Sequence, residues 1–110
     1  VGKTTTLDAA GGFAATAWDF SQIKKFMDKT GIPVVLNEFG MNLAKSSEAD
    51  VKKYLGGIVD ACEELGIPCA IWQYYGGGYS SEGAMSLYRK SSLFGGYAWD
   101  QKALDALFSK

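Results

Sequence analysis

The amino-acid sequence predicts an α/β fold in which parallel strands are joined by helices, and three observations carry that expectation. The first is a repeat. Lys29-Thr30-Gly31-Ile32-Pro33-Val34-Val35-Leu36 returns in form, thirty-five residues later, as Glu64-Leu65-Gly66-Ile67-Pro68-Cys69-Ala70-Ile71. The second is that the run after each proline is continuously apolar rather than alternating, which is the pattern of strands covered on both faces. The third is the segment between the copies, where apolar residues recur at the helical spacing of three and four.

Taken in order, residues 1–18 carry no sustained periodicity and are expected to form a loop. Asp19, with Gln22 three residues on, opens a helix over residues 19–30 whose apolar face holds Ile23, Phe26 and Met27. Gly31 stands just past that helix, where a left-handed residue ends the last turn, and Pro33 prevents the helix from continuing. A strand is then expected over residues 33–38. Ser47 caps the next helix, over residues 47–65, with Asp50 three residues later; Val51, Tyr54, Leu55, Ile58, Val59, Cys62 and Leu65 form its apolar stripe. Gly66 and Pro68 repeat the stop signal, and a second strand follows over residues 68–75. Residues 76–98, rich in glycine and aromatic residues, are expected to form one long loop. Asp100 opens a last helix over residues 100–108, with Leu104, Leu107 and Phe108 on its apolar side.

Two parallel strands do not make an independent sheet, because each leaves an unpaired edge and an uncovered apolar face. A βα period of thirty-five residues suits a (β/α)₈ barrel, whose ~250 residues give about thirty per unit. The expected architecture is therefore the C-terminal part of such a barrel: the last two βα units plus the preceding helix, all within one domain. The crossover between its strands is expected to be right-handed.

Composition narrows the function classes. Eleven basic and twelve acidic residues leave a net charge of −1 with no run of one sign, so neither nucleic acid nor an anionic membrane surface is an expected partner. No apolar run approaches the ~20 residues of a membrane span, and the first residues lack the apolar core of a signal peptide. Cys62 and Cys69 do not form a disulfide framework and read as free, structural thiols. Histidine is absent, which removes the commonest metal ligand and general base; no metal and no cofactor is expected.

Glu38 lies in Leu36-Asn37-Glu38-Phe39-Gly40, at the C-terminal end of the first expected strand, and in barrels that end is the catalytic face. Position alone leaves two readings open, a reactive carboxylate or a strand-end glutamate turned to water. The run from Gly31 to Gly40 resembles the seventh strand of family 5 glycoside hydrolases of the cellulase type, in which the glutamate before an aromatic residue and a glycine is the catalytic nucleophile. That resemblance implies retaining hydrolysis of β-1,4-glycosidic bonds in cellulose or a related β-glucan, with Glu38 as nucleophile. It also implies that the acid/base, a glutamate after an asparagine on the fourth strand, belongs to a segment preceding Val1. Glu82 and Asp8 have no such strand context.

Ile71-Trp72-Gln73-Tyr74-Tyr75 runs into Gly76-Gly77-Gly78-Tyr79, and the resemblance matches Trp72 to the tryptophan that floors the cleaved sugar at the end of the eighth strand. An aromatic plane covers the C–H face of a pyranose while amides reach its hydroxyls, so Trp72, Asn37, Gln73 and Tyr79 are the expected substrate contacts. Burial of Trp72 in the core is the competing reading. Tyr74, Tyr75, Phe94, Tyr97 and Trp99 either extend a polysaccharide cleft or pack over the barrel mouth. Ala84 to Lys90 resembles the family's segment leading to the final helix, but Tyr88 stands where an acidic residue usually precedes the arginine, so Arg89 is expected in a structural ion pair.

The resemblance covers residues 20 to 108 and implies two partners: a β-glucan polysaccharide, and the N-terminal part of the barrel in the same or a second polypeptide. Without the latter the chain is expected to be inactive. Extracellular location follows from the family's polymeric substrates. Two rival readings remain. Gly2-Lys3-Thr4-Thr5-Thr6 looks like the end of a phosphate loop, although Gly11-Gly12 is expected to interrupt the helix such a loop needs. The other is a non-catalytic carbohydrate-binding or assembly module.

Overall fold

A computed structural model describes residues 9–76, 83–90 and 95–108, with side chains described from residue 16 onward. The chain divides into two compact units at Val34 and Val35.

The first unit contains one long helix, α1 (Ala9–Thr30). Its start corrects the expectation of a loop over residues 1–18: Asp19 lies inside the helix, and Gly11-Gly12 does not interrupt it. Five alanines between Ala9 and Ala17, the best helix formers, offset two glycines that cost about 1 kcal/mol each. The helix ends as expected. Gly31 takes a left-handed φ of 67° and its N–H donates to the Met27 carbonyl at 2.8 Å. On α1, Ile23 and Met27 are half-buried, whereas Phe26 is exposed.

The second unit opens with β1 (Leu36–Phe39). Ser47 then caps α2 (Glu48–Val51), accepting the Asp50 N–H at 3.1 Å and donating to the Asp50 carboxylate at 2.7 Å. The helix continues through a π-helical segment, Lys52–Gly56, into α3 (Gly57–Leu65). Gly66, with φ of 67°, ends it, and the Ile67 N–H returns to the Cys62 carbonyl at 2.8 Å. The stripe expected from the spacing forms the core: Val51, Leu55, Ile58, Val59 and Cys62 are buried, together with Phe39, Leu43, Ile67, Leu87, Ala103 and Leu107. Each of the valine, leucine, isoleucine and phenylalanine side chains among them is worth roughly 1.5–3 kcal/mol on full burial.

β2 (Cys69–Ile71) runs parallel to β1, pairing Leu36 with Cys69 and Phe39 with Ile71. Both strands are shorter than the expected 33–38 and 68–75, because a strand is defined by its partner and the ladder spans only these positions. The expected burial on both faces is not met: Val35 is 62% exposed, and Asn37, Glu38, Cys69 and Ala70 are exposed. Among the described residues these two strands have no third strand beside them.

The expected loop over residues 76–98 contains further structure. A 3₁₀ turn, Gly83–Met85, leads into an antiparallel hairpin of β3 (Tyr88–Lys90) and β4 (Tyr97–Trp99). Gly95, with φ of 67°, turns the chain before β4. α4 (Gln101–Phe108) completes the unit, burying Ala103 and Leu107, while Leu104 is half-buried and Phe108 faces water.

Candidate active site

Glu38 is the third residue of β1, and its side chain is exposed. The strand is pinned at both ends. The Leu36 N–H donates to the Pro68 carbonyl at 2.9 Å, and the Trp72 N–H donates to the Phe39 carbonyl at 2.6 Å. Parallel pairing brings the C-terminal ends of the two strands to one edge, so Glu38 and Trp72 belong to the same end of the sheet. Between the paired positions β1 has two residues, Asn37 and Glu38, where β2 has only Ala70, and the register slips there. Such an irregularity breaks strict side-chain alternation and re-aims the residues it contains.

Gly40 follows directly, and its backbone packs so closely on the Trp72 carbonyl oxygen that a β-carbon would overlap it. The sequence marks Gly40 as the opening of a loop; the fold makes it the residue that lets the ends of β1 and β2 converge. No pattern within one strand signals such an approach, because its cause lies on the other.

Trp72 is 38% exposed, intermediate between a core residue and a free platform. The Trp72–Gln73 peptide is cis. Gln73 is half-buried, its N–H donating to the Met85 carbonyl at 3.3 Å and its carbonyl accepting the Leu87 N–H at 2.8 Å. Its side-chain amide lies against Gly76, whose N–H donates to the buried Ser86 hydroxyl at 2.8 Å. Asn37 is exposed beside Glu38. Tyr79, and with it Glu82, Phe94 and Asp8, lies outside the described residues, as does the run from Gly2 to Thr6.

The loop leaving Glu38 is fastened by groups that belong to no sequence motif. The Leu43 and Ala44 N–H groups both donate to the Ala84 carbonyl, at 2.9 and 3.2 Å. Lys102 Nζ reaches across from α4 to the carbonyls of Leu43 and Ser46, at 3.1 and 3.0 Å. Lys102 is anchored in turn by Asp100, 3.8 Å away.

Asp100 is buried and fully engaged. One carboxylate oxygen accepts the Ala103 N–H at 2.9 Å as the cap of α4, and the other takes Arg89 Nη2 at 2.6 Å. Arg89 thus makes the structural ion pair expected of it, and its Nη1 also donates to the Ser86 carbonyl at 3.1 Å. Elsewhere among the described residues, a thiol and a phenol titrate away from their ordinary values. Burial, followed by the charge and hydrogen bond of Cys69, pushes the Cys62 thiol up to about 11. A hydrogen bond with Tyr97 raises the Tyr75 phenol.

Comparison with known proteins bears on this arrangement. A family model for cellulases of glycosyl hydrolase family 5 matches residues 4–78, which include both parallel strands, the helix between them, Glu38 and Trp72. No curated protein and no solved structure matches the chain. The family match spans more than half of the 110 residues and overlaps the stretch that resembles a phosphate loop only from Thr4 to Thr6. The chain therefore belongs to glycosyl hydrolase family 5, a family of cellulase-type glycosidases built on the TIM barrel.

Proposed function

We propose that the chain supplies the nucleophilic part of a retaining endo-β-1,4-glucanase acting on cellulose or a related β-glucan. One observation carries the reading: in a chain of this family, Glu38 is the penultimate residue of a parallel strand, one residue before the carbonyl that accepts the Trp72 N–H. A retaining glycosidase needs an ionised carboxylate to attack the anomeric carbon, while a second carboxylic acid, ~5–5.5 Å away, protonates the departing oxygen. Glu38 takes the first role. Water activated by the second group then cleaves the glycosyl-enzyme ester and releases the sugar with retained configuration.

Trp72 lies under the sugar at the cleavage point, covering its C–H face, while Asn37, Gln73 and Tyr79 reach its hydroxyls. Two carboxyl groups perform all the covalent and proton-transfer work, so the reaction calls for neither metal nor cofactor. On this reading the described α/β unit is the C-terminal part of a (β/α)₈ barrel whose earlier strands, in the same or a second polypeptide, bring the acid/base. The exposure of Cys69 and Ala70 on β2, and of Val35 just before β1, supports that reading, since those apolar positions are covered once neighbouring strands and helices join. These 110 residues by themselves are then inactive or nearly so, and the polymeric substrate places the enzyme outside the cell.

The test is reconstitution. Mixed with a polypeptide supplying the earlier barrel strands, the chain is expected to hydrolyse a soluble cellulose derivative, and Glu38→Gln to reduce turnover by about a thousandfold or more. Turnover unchanged by that substitution rejects Glu38 as nucleophile.

A further inference from the structure

The loop that leaves Glu38, from Gly40 to Ser46, is closed on itself and then tied to segments far away in sequence. Within it the Ser46 hydroxyl donates to the Asn42 carbonyl at 2.6 Å, and the Lys45 N–H donates to the Asn42 side-chain oxygen at 3.1 Å. Leu43, 1% exposed, anchors it in the core. Two outward ties complete the fastening: the Ala84 carbonyl accepts the Leu43 and Ala44 N–H groups, and the Lys102 ammonium donates to the Leu43 and Ser46 carbonyls. Both ties come from beyond residue 78, where the family match ends.

Lys102 stands against the local preference of its helix. It is the second residue of α4, in the first turn, where the helix dipole favours an acidic side chain and disfavours a cation. A broken local rule marks a residue under another demand. That demand is visible in its partners. An ammonium has three donors and no acceptor, and here two backbone carbonyls take it at 3.1 and 3.0 Å while the buried Asp100 carboxylate stands 3.8 Å away. Charge assistance makes such bonds stronger than neutral ones. Asp100 is itself held by Arg89 and by the Ala103 N–H, so the cation rests on a fixed support.

We infer that Lys102 is a positioning residue for the reaction proposed above: by fastening the loop that begins two residues beyond Glu38, it holds that carboxylate where it attacks. The inference rests on Glu38 acting as nucleophile. On its other side the strand end is already fixed, since the Phe39 carbonyl takes the Trp72 N–H at 2.6 Å and Gly40 packs on the Trp72 carbonyl. β2 thus restrains Phe39 and Gly40, and Lys102 with Ala84 restrains the residues that follow. Attack needs near-contact geometry, and a displacement of about 1 Å costs on the order of a hundredfold in rate. Lys102 acts through the loop backbone rather than through the sugar.

Two measurements test it. In the 110-residue chain, Lys102→Met should speed amide hydrogen exchange at Leu43 and Ala44 about tenfold, while the amides from Leu55 to Cys62 stay as protected as before. In the reconstituted barrel, Lys102→Met should slow both kcat and covalent trapping by an activated 2-fluoro β-cellobioside about thirtyfold, with KM within about twofold, because the attack geometry alone changes. Lys102→Arg, which keeps a cation to donate, should stay within about fivefold of the parent. Should Lys102→Met fail to fold, Lys102→Gln, neutral but still a donor, replaces it in both measurements. Exchange that rises equally from Leu55 to Cys62 gives Lys102 a general structural role and overturns the inference. A raised KM at unchanged kcat, an unchanged trapping rate, or a Lys102→Arg chain as slow as Lys102→Met overturns it equally. Glu38→Gln runs alongside: an inert Glu38→Gln beside an unimpaired Lys102→Met overturns this inference alone, whereas an active Glu38→Gln overturns the nucleophile and this inference with it.

Discussion

Gly40 and Trp72 are in backbone contact: the Cα of Gly40 packs on the Trp72 carbonyl so tightly that the fold admits no side chain between them. The contact joins the segment leaving Glu38 to the end of β2. Gly40→Ala must push the strand ends apart. A destabilisation of about 1–3 kcal/mol is expected by urea unfolding, the usual cost of overpacking. In a reconstituted barrel the same substitution should lower turnover, because the strand ends that separate carry Glu38 and Trp72.

Arg89→Ala removes the close partner of a buried carboxylate and leaves Lys102, at 3.8 Å, as the nearest remaining cation among the described residues. Asp100 still has the Ala103 N–H, so the loss is expected to fall near 2–3 kcal/mol, below that of an abandoned buried charge. Thermal unfolding measures it. Arg89→Lys should recover only part of the loss, since lysine cannot bridge the Asp100 carboxylate and the Ser86 carbonyl through a planar fork.

The two thiols should react at different rates. Cys69 is exposed, whereas Cys62 is buried with its thiol pushed up to about 11. At pH 8 iodoacetamide should therefore label Cys69 first, as mass spectrometry of timed samples will show. The same shift links to stability. A Cys62 pKa raised above its ordinary 9.0 favours the neutral thiol in the folded chain, so its contribution is complete below pH 9 and is lost as pH rises through about 11. Cys62→Ser should flatten that alkaline limb.

Where local chemistry decides the structure, it was legible in the residues. Gly31 and Gly66 both adopt the left-handed conformation that their positions past a helix required, and Ser47 caps with Asp50 as their spacing indicates. The stripe from Val51 to Cys62 became the core because its spacing keeps those residues on one side of a helix.

Other features depended on competing or distant effects. The helix through Gly11-Gly12 followed from alanine propensity, which two glycines masked. The hairpin carries its own signals, the β-forming Tyr88 and the run from Tyr97 to Trp99 on either side of a glycine pair, but the glycines and clustered aromatics around them give the whole stretch the look of one loop. At the candidate site, the placement of Glu38 and Trp72 at one sheet end followed from the repeat. The slipped register at Asn37 and Glu38, the constraint on Gly40 and the reach of Lys102 to the Leu43 and Ser46 carbonyls did not. Those arise between segments distant in sequence, beyond the reach of a local pattern.

The nucleophile can be trapped directly. A reconstituted barrel treated with an activated 2-fluoro β-cellobioside, whose glycosyl-enzyme ester hydrolyses slowly, should gain the mass of one fluorocellobiosyl group on the peptide containing Glu38, and Glu38→Gln should gain none. Attachment of the sugar to any other carboxylate, or equal labelling of the Glu38→Gln chain, contradicts the assignment of Glu38.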